Sequence, residues 1–203
     1  MNPTRSRILT AAEELFSQFG YAGVSLRQIT VAAKVNVAAV NYHCYDKEAL
    51  YREVVARRLQ QINRHRFALL ALAETQARDG LIPLEVLIDA FARPLFLPEP
   101  ETGDVAVRLL GRILTERQSF VDSVLRTEFH PATTRFGQAI RRHNPGLPPD
   151  DFVWRLSFVV GALHHAVVTM ADMHSHTNGL CRSGDGEKAL SNFSVFAAKA
   201  LSA

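Results

Sequence analysis

Apolar residues recur at helical spacing along nearly the whole chain, and this periodicity constrains the fold more than any other feature of the sequence. The first apolar stripe is followed by Gly20, which is suited to end a helix. The stripe consists of Ile8, Ala11, Ala12, Leu15, Phe16 and Phe19. The strict alternation of apolar and polar residues that indicates a β-strand is absent from the sequence. The periodicity therefore predicts an all-α fold of about nine helices.

Helix caps and a break divide the N-terminal region into short helices. Ser25 and Gln28 have the spacing of a capping box, which opens the second helix. A tight break at Lys34-Val35-Asn36 separates it from a third short helix. Asp46 then caps a fourth helix, which is predicted over residues 46–79.

Loop signals divide the rest of the chain. They occur at 97–104, 144–150 and 174–186. The helices predicted around these loops cover residues 82–96, 104–119, 119–143, 149–173 and 186–202. We therefore expect an N-terminal three-helix domain over residues 1–50 and a C-terminal helical bundle over residues 51–203, with the helix at 46–79 bridging them.

The longest apolar stretch and the cysteine content suggest a cytoplasmic protein. The stretch at 156–171 is shorter than a membrane span requires, so we expect a buried helix there and no membrane insertion. Cys44 and Cys181 lie far apart in the sequence, which argues against a disulfide framework and suits a reducing cytosol. The first residues also lack the pattern of a secretory signal.

The charge distribution suits nucleic acid, and motifs for catalysis are missing. Residues 1–66 have a net charge of +5 and residues 67–203 a net charge of −2. A basic end beside a slightly acidic body suits an approach to phosphate. The sequence contains no nucleophile elbow, zinc-protease helix, P-loop or dinucleotide-binding loop. We therefore expect neither catalytic activity nor a cofactor.

The two short helices on either side of the break have the layout of a helix-turn-helix. Neither can bury enough apolar surface alone, so both must pack on the first helix and on the start of the fourth. In this motif the second short helix enters the major groove of DNA. Its inward face is expected to hold Val37, Val40 and Cys44, and its outward face Ala38, Ala39, Asn41 and Tyr42. Small outward side chains allow a close approach to base edges, and alanine methyl groups pack against thymine methyl groups.

The N-terminal region resembles that of the TetR family of bacterial transcriptional regulators. The resemblance covers residues 5–54 and includes Phe-Gly-Tyr at 19–21, the Ser25 cap, the segment at 35–43 and Lys-Glu-Ala-Leu at 47–50. This sequence departs from the family pattern at two positions. Lys34 stands where the turn usually has glycine, and Cys44 replaces an aromatic residue.

This resemblance implies a homodimer that binds a palindromic operator in double-stranded DNA. Arg27 and Gln28 would lie beside the groove, and Lys47 would contact phosphate from the start of the fourth helix. The residues closest to the bases would be Val37, Ala38, Ala39 and Asn41. Tyr42 and His43 would contact the phosphate backbone.

The resemblance also implies that the C-terminal body dimerises and binds a small molecule. The helices at 149–173 and 186–202 could pack against symmetry mates, or they could complete the core of one chain. Candidate residues for an effector pocket are Phe91, Phe96, Leu110, Phe120, Phe136, Trp154, Phe158 and His164. For each of them the alternative is ordinary core packing. The segment at 36–43 is similar to that of regulators of fatty-acid metabolism and drug efflux, which favours a hydrophobic effector such as a fatty acid or an acyl-CoA.

Four histidines near the C-terminus have three interpretations. They lie close to Cys181 in the sequence and are His164, His165, His174 and His176. Such residues could bind a metal ion, line a polar pocket, or be ordinary helix and loop residues. Because their spacing matches no recognised metal-binding motif, no metal site is predicted.

Two functions from different classes are compatible with the sequence. The first is a repressor that a small hydrophobic effector releases from a palindromic operator. The second is a helical scaffold or surface-binding protein without sequence-specific DNA binding. Salt-dependent binding to one palindrome, but not to scrambled duplex, would distinguish the first from the second.

Overall fold

The structure is a computed structural model that describes residues 3–36, 46–78, 80–98, 103–116 and 118–202. Its main helices are α1 (Pro3–Phe19), α2 (Leu26–Ala33), α3 (Lys47–Ala77), α4 (Leu84–Phe96), α5 (Gly103–Glu116), α6 (Asp122–Arg141), α7 (Pro149–Thr169) and α8 (Gly186–Leu201). Short 3-10 turns at Ser119–Val121 and Met170–Asp172 and a four-residue helix at Met173–His176 complete the regular structure of these ranges. All regular structure in the described ranges is helical, which confirms the all-α class.

Local sequence signals set the ends of the N-terminal helices. After α1, Gly20 adopts a left-handed conformation with a φ of 71°. The capping box opens α2, where the Ser25 side chain accepts a hydrogen bond from the Gln28 N–H and the Gln28 side chain accepts one from the Ser25 N–H. Asp46 Oδ1 accepts a hydrogen bond from the Ala49 N–H (2.7 Å) at the start of α3. These three predicted helix signals are confirmed.

The chain divides into two compact units, each formed by two separate segments of the sequence. The first unit comprises Met1–Gln61 and Pro100–Glu128, and the second comprises Ile62–Glu99 and Phe129–Ala203. Within the first unit α5 packs against α1. This packing joins a segment from the middle of the chain to the N-terminal helices, which helical periodicity alone does not predict.

The buried side of α1 forms the core of the first unit. Ile8, Ala12 and Phe16 are buried as the stripe predicts. Phe19 is instead 55% exposed, because α1 ends at this residue and the side chain is not covered. Leu9, outside the predicted stripe, is buried.

Polar side chains of α5 fasten it to the end of α1. Glu116 Oε2 accepts a hydrogen bond from the Tyr21 N–H (3.0 Å), and Arg112 Nη2 donates one to the Gln18 carbonyl oxygen (2.8 Å). The carboxylate lies so close to Gly20 that a Cβ atom on this glycine would be 2.0 Å from Glu116 Oε1. Glycine suits the left-handed backbone at this position, and a side chain here would displace the Glu116 carboxylate.

The core of the second unit lies between α4, α7 and α8, which pack against one another. Leu87 and Leu95 of α4 and Leu190 of α8 are buried in it. Gly186 allows the start of α8 to approach α4, since a Cβ atom there would be 2.2 Å from the Phe96 carbonyl oxygen. These contacts make α8 an integral part of the bundle of this chain.

One face of α7 and part of α8 remain uncovered. Trp154 is 62% exposed and Phe158 is 65% exposed, with ring centroids 5.8 Å apart. On α8, Val195 and Phe196 are also exposed. The prediction of a buried helix at 156–171 is therefore wrong for the single chain, because periodicity identifies apolar residues but not what covers them.

The helical region that contains this apolar stretch extends beyond it at both ends. The helical region Pro149–His176 has 28 residues and is long and apolar enough to cross a membrane by length and composition. The sequence-based expectation considered residues 156–171 alone and not the whole helical region. One helix of this kind is weak evidence for a membrane protein, since core helices of soluble proteins meet the same criteria.

Candidate functional site

The exposed start of α2 presents the first two predicted DNA-contacting residues. Arg27 and Gln28 are both exposed and lie in the first turn of the helix. The Gln28 Oε1 atom accepts hydrogen bonds from the N–H and the hydroxyl of Ser25, each at 2.7 Å. Gln28 therefore stabilises the helix start, while the Arg27 side chain extends from the same turn into solvent.

The turn after α2 is tightly fixed although it lacks the usual glycine. Lys34 adopts a left-handed conformation, with φ 53° and ψ 50°. Its N–H donates a hydrogen bond to the Val31 carbonyl oxygen (3.1 Å). From α1, Arg7 Nη2 donates to the carbonyl oxygens of Ala33 and Lys34, each at 2.5 Å. The guanidinium group thus satisfies two carbonyl oxygens at the end of α2 and ties the turn to α1.

Lys47 lies at the first position of α3, next to an aromatic ring. Its Nζ atom lies 4.1 Å from the centroid of the Tyr21 ring, a cation–π contact. Partial burial lowers the pKa of Lys47. The aromatic contact limits the freedom of the ammonium group and holds it at the N-terminal end of α3, where phosphate binding is expected.

Most of the predicted recognition helix lies outside the described residues. It includes Val37, Ala38, Ala39, Asn41, Tyr42 and His43, as well as Cys44. The helices on which it was expected to pack are described, namely α1, α2 and the start of α3.

An apolar cavity lies within the second unit, between α4, α6, α7 and α8. Its lining residues are mostly aliphatic and aromatic, and its volume is about 30 Å³. The residues that line it include Ile88, Phe91, Phe136, Leu156, Val159, Leu163 and Phe193. This volume accommodates only a few water molecules, so a larger apolar molecule would have to expand the cavity.

The eight predicted pocket residues have different environments. Phe91 and Phe136 line the cavity, with ring centroids 5.2 Å apart. Phe96 is buried in the second unit, where its ring lies 5.7 Å from that of Phe193. The other four aromatic and aliphatic candidates do not line the cavity. Leu110 and Phe120 belong to the first unit, and Trp154 and Phe158 are on the exposed face of α7.

His164 is half-buried beside the cavity, directly after the lining residue Leu163. Burial lowers the pKa of His164, and the positive charge of Arg66 lowers it further. By contrast, His165, His174, His176 and Cys181 are exposed. In the described part of the chain, no three potential metal-ligating side chains come together as an ion site.

Arg66 is the residue of this region that the sequence analysis missed. It is fully buried on α3, and burial lowers its pKa to about 9. A sequence signal for it existed, because Arg66 falls at helical spacing between the buried residues Ile62 and Leu70. A charged residue within an apolar stripe indicates either a buried ion pair or a binding site.

Two family models match the chain, and together they account for most of its length. Residues 8–54 match the model of bacterial regulatory proteins of the tetR family, and residues 89–200 match that of the tetracyclin repressor-like C-terminal domain. Among curated proteins, the HTH-type transcriptional regulator UidR of Escherichia coli K12 is 36% identical over 53 residues, which are 26% of this chain and 27% of UidR. The match thus spans about a quarter of the length of that relative.

Solved structures of similar fold cover almost the whole chain. A TetR-family transcription regulator of Shewanella sp. PV-4 has a TM-score of 0.67 and 17% identity, over 96% of this chain and 98% of that chain. The fatty acid degradation regulator FadR of Bacillus halodurans has a TM-score of 0.65 and 12% identity, over 95% of each chain. Identities this low establish a common fold alone. Because the model of the C-terminal domain alone covers more than half of the chain, and the N-terminal model covers the predicted helix-turn-helix, the chain belongs to the TetR family of bacterial regulatory proteins.

Proposed function

We propose that this protein is a cytoplasmic, homodimeric transcriptional repressor that leaves a palindromic operator when a small hydrophobic effector binds. The observation that supports DNA binding most directly is the way α2 is fixed at both ends. The Ser25 capping box holds its start, and the Arg7 clamp holds the left-handed turn at Lys34. A helix-turn-helix needs this rigidity because its second helix must meet the groove at a defined angle.

Contacts with DNA divide into two kinds in this proposal. Val37, Ala38, Ala39 and Asn41 lie nearest the base edges and provide sequence preference. Arg27 and Gln28 lie beside the groove, and Tyr42, His43 and Lys47 contact phosphates. Phosphate contacts fix the register of the protein on the duplex and make its affinity dependent on salt.

The uncovered apolar face of α7 and α8 supports the homodimer. Trp154, Phe158 and Phe196 are large apolar side chains that a single chain leaves in water. Two copies of such a face bury each other in a two-fold interface, as in four-helix packing. A dimer also presents two recognition segments, which a palindromic operator requires.

The apolar cavity of the second unit supports an effector with a hydrophobic part, and a fatty acid or an acyl-CoA is the first candidate. Aliphatic and aromatic side chains form most of the cavity lining. A molecule that enters it must expand it, and the effector acts only if it favours one of two conformations with different operator affinity. The likeness to FadR, named as a regulator of fatty acid degradation, agrees with this candidate.

Fluorescence anisotropy with duplexes that carry the inverted repeat next to the gene tests operator binding. We expect the unaltered protein to bind one repeat tightly and a scrambled duplex weakly, with a strong salt dependence. Ala39→Glu should abolish specific binding, because it places a negative charge against the bases. Lys47→Ala should weaken binding to all duplexes similarly and reduce the salt slope by about one unit.

Lys188→Ala is the matched control, because Lys188 is an exposed lysine near the start of α8 in the second unit. It should leave operator affinity unchanged. Equal binding of operator and scrambled duplex would support the alternative of a surface-binding scaffold. Operator affinity retained by Ala39→Glu would contradict the assignment of the recognition segment.

A further inference from the structure

A buried arginine lies against Phe91, one of the residues that line the apolar cavity. Arg66 is only 1% exposed, and in the ranges that the structure describes its guanidinium group forms no ion pair. Its Nε atom donates to the Phe91 carbonyl oxygen (2.7 Å), and Nη1 donates weakly to Asn63 Oδ1 (3.4 Å). Both acceptors are neutral. A guanidinium group carries a full positive charge, and these two contacts supply no negative charge to balance it.

Arg66 is joined to the cavity through a lining residue. Its guanidinium carbon lies 3.8 Å from the centroid of the Phe91 ring, and Phe91 lines the cavity. On α7, Leu163 lines the cavity as well, and the next residue is His164, which the charge of Arg66 influences. Two polar residues thus adjoin lining residues of the cavity: Arg66 lies against Phe91, and His164 follows Leu163 on α7. A displacement of the Phe91 ring would connect the guanidinium group with the apolar space.

We infer that the effector is a carboxylic acid with an apolar chain, whose carboxylate pairs with Arg66 while the chain occupies the cavity. This inference rests on the proposed function, because it assumes that the cavity receives the effector. A carboxylate matches the planar fork of a guanidinium group and supplies the missing negative charge. Since a buried charge is costly unless it is paired, the arginine favours an acid over an uncharged molecule of the same shape.

Calorimetric titration of the full-length protein tests the preference for an acid. The probes are n-alkanoates of six to twelve carbons and the 1-alkanols of the same length. We expect the acid to bind the unaltered protein at least tenfold more tightly than the matching alcohol. Arg66→Met should reduce this preference to nearly one, because methionine keeps the apolar volume but removes the charge. Arg64→Met, at an exposed arginine of the same helix, should preserve the preference.

Thermal unfolding without ligand provides a readout that does not depend on binding. Arg66→Met should melt at a higher temperature than the unaltered protein, since it removes an unmatched buried charge. If this variant does not fold, Arg66→Lys serves instead. Lysine keeps the charge without the planar fork, so the acid should lose at least threefold in affinity in that variant.

Absence of alkanoate binding, or an equal affinity of acid and alcohol for the unaltered protein, would overturn this inference. An unchanged acid preference in Arg66→Met or Arg66→Lys would also overturn it. Binding of octanoyl-CoA without binding of octanoate would overturn it as well, because the thioester lacks the free carboxylate. The proposed function has a separate test, which is operator affinity in the presence of the probes. The proposed function is contradicted if bound acid leaves operator affinity unchanged. If alcohols release the operator as well as acids do, the proposed function holds and only the preference for an acid is wrong.

Discussion

Lys34 adopts a backbone conformation that costs a residue with a side chain about 1–2 kcal/mol. The surrounding contacts maintain it, because Arg7 donates to the carbonyl oxygens of Ala33 and Lys34. The resemblance to the TetR family identified Lys34 as a departure from glycine at this turn. The contribution of Arg7, which lies 27 residues earlier in the sequence, could not be predicted from the turn itself.

We predict that Lys34→Gly increases the free energy of unfolding. Glycine removes the left-handed penalty, but it also adds entropy to the unfolded chain, so the net gain should be about 0.5–1 kcal/mol. Urea unfolding followed by circular dichroism measures the change. Lys34→Ala is the control, because it removes the same side chain but keeps the left-handed cost. An equal gain in both variants would show that the backbone conformation is not the cause.

At the scale of helices, a buried ion pair connects α1 and α3. The side chains of Glu13 and Arg58 are 7% and 8% exposed, and the guanidinium group donates to the Glu13 carboxylate through both Nε and Nη2. Both charged groups are shielded from water, so each is stabilised mainly by the opposite charge of the other. The pair therefore fixes the packing of the two helices more through the cost of breaking it than through the net energy of forming it.

We expect Arg58→Met alone to lower the free energy of unfolding by about 3 kcal/mol, because it leaves the Glu13 carboxylate buried and unpaired. The double change Glu13→Leu with Arg58→Met should recover most of this loss, since both charges are then absent. A double-mutant cycle by urea unfolding measures the coupling. Glu48→Gln breaks the exposed pair with Arg52 on the same helix and should cost at most about 0.5 kcal/mol. Additive effects of the two changes in the cycle would contradict the prediction.

For the whole molecule, the uncovered face of α7 and α8 predicts a dimer that depends on large apolar residues. Phe158→Glu places a charge in the expected interface and should convert the dimer to a monomer in light scattering coupled to size exclusion. Operator affinity should fall in parallel, since one recognition segment binds weakly. Leu72→Glu, at an exposed leucine of α3, should remain dimeric. A dimeric Phe158→Glu protein would exclude this face as the interface.

The sequence alone determined what depends on neighbouring residues. Gly20, Ser25 with Gln28, and Asp46 were identified as helix ends because capping and left-handed turns are decided within a few residues of the chain. The all-α class followed for the same reason, since helical hydrogen bonds and periodicity are local. The N-terminal family pattern was also contained in contiguous residues.

The tertiary structure decided which distant segments share an environment. The packing of α5 against α1 is a contact of this kind. Packing also places the predicted pocket residues in three environments, namely a cavity, a core and an exposed face. It buries Arg66 beside Phe91. An apolar stripe shows that a side chain avoids water without specifying the surface that covers it, which is why the whole of α7 was expected to be buried although one of its faces is exposed. The free energy of burial depends on area and not on the identity of the partner, so it leaves this choice to the arrangement of the whole chain.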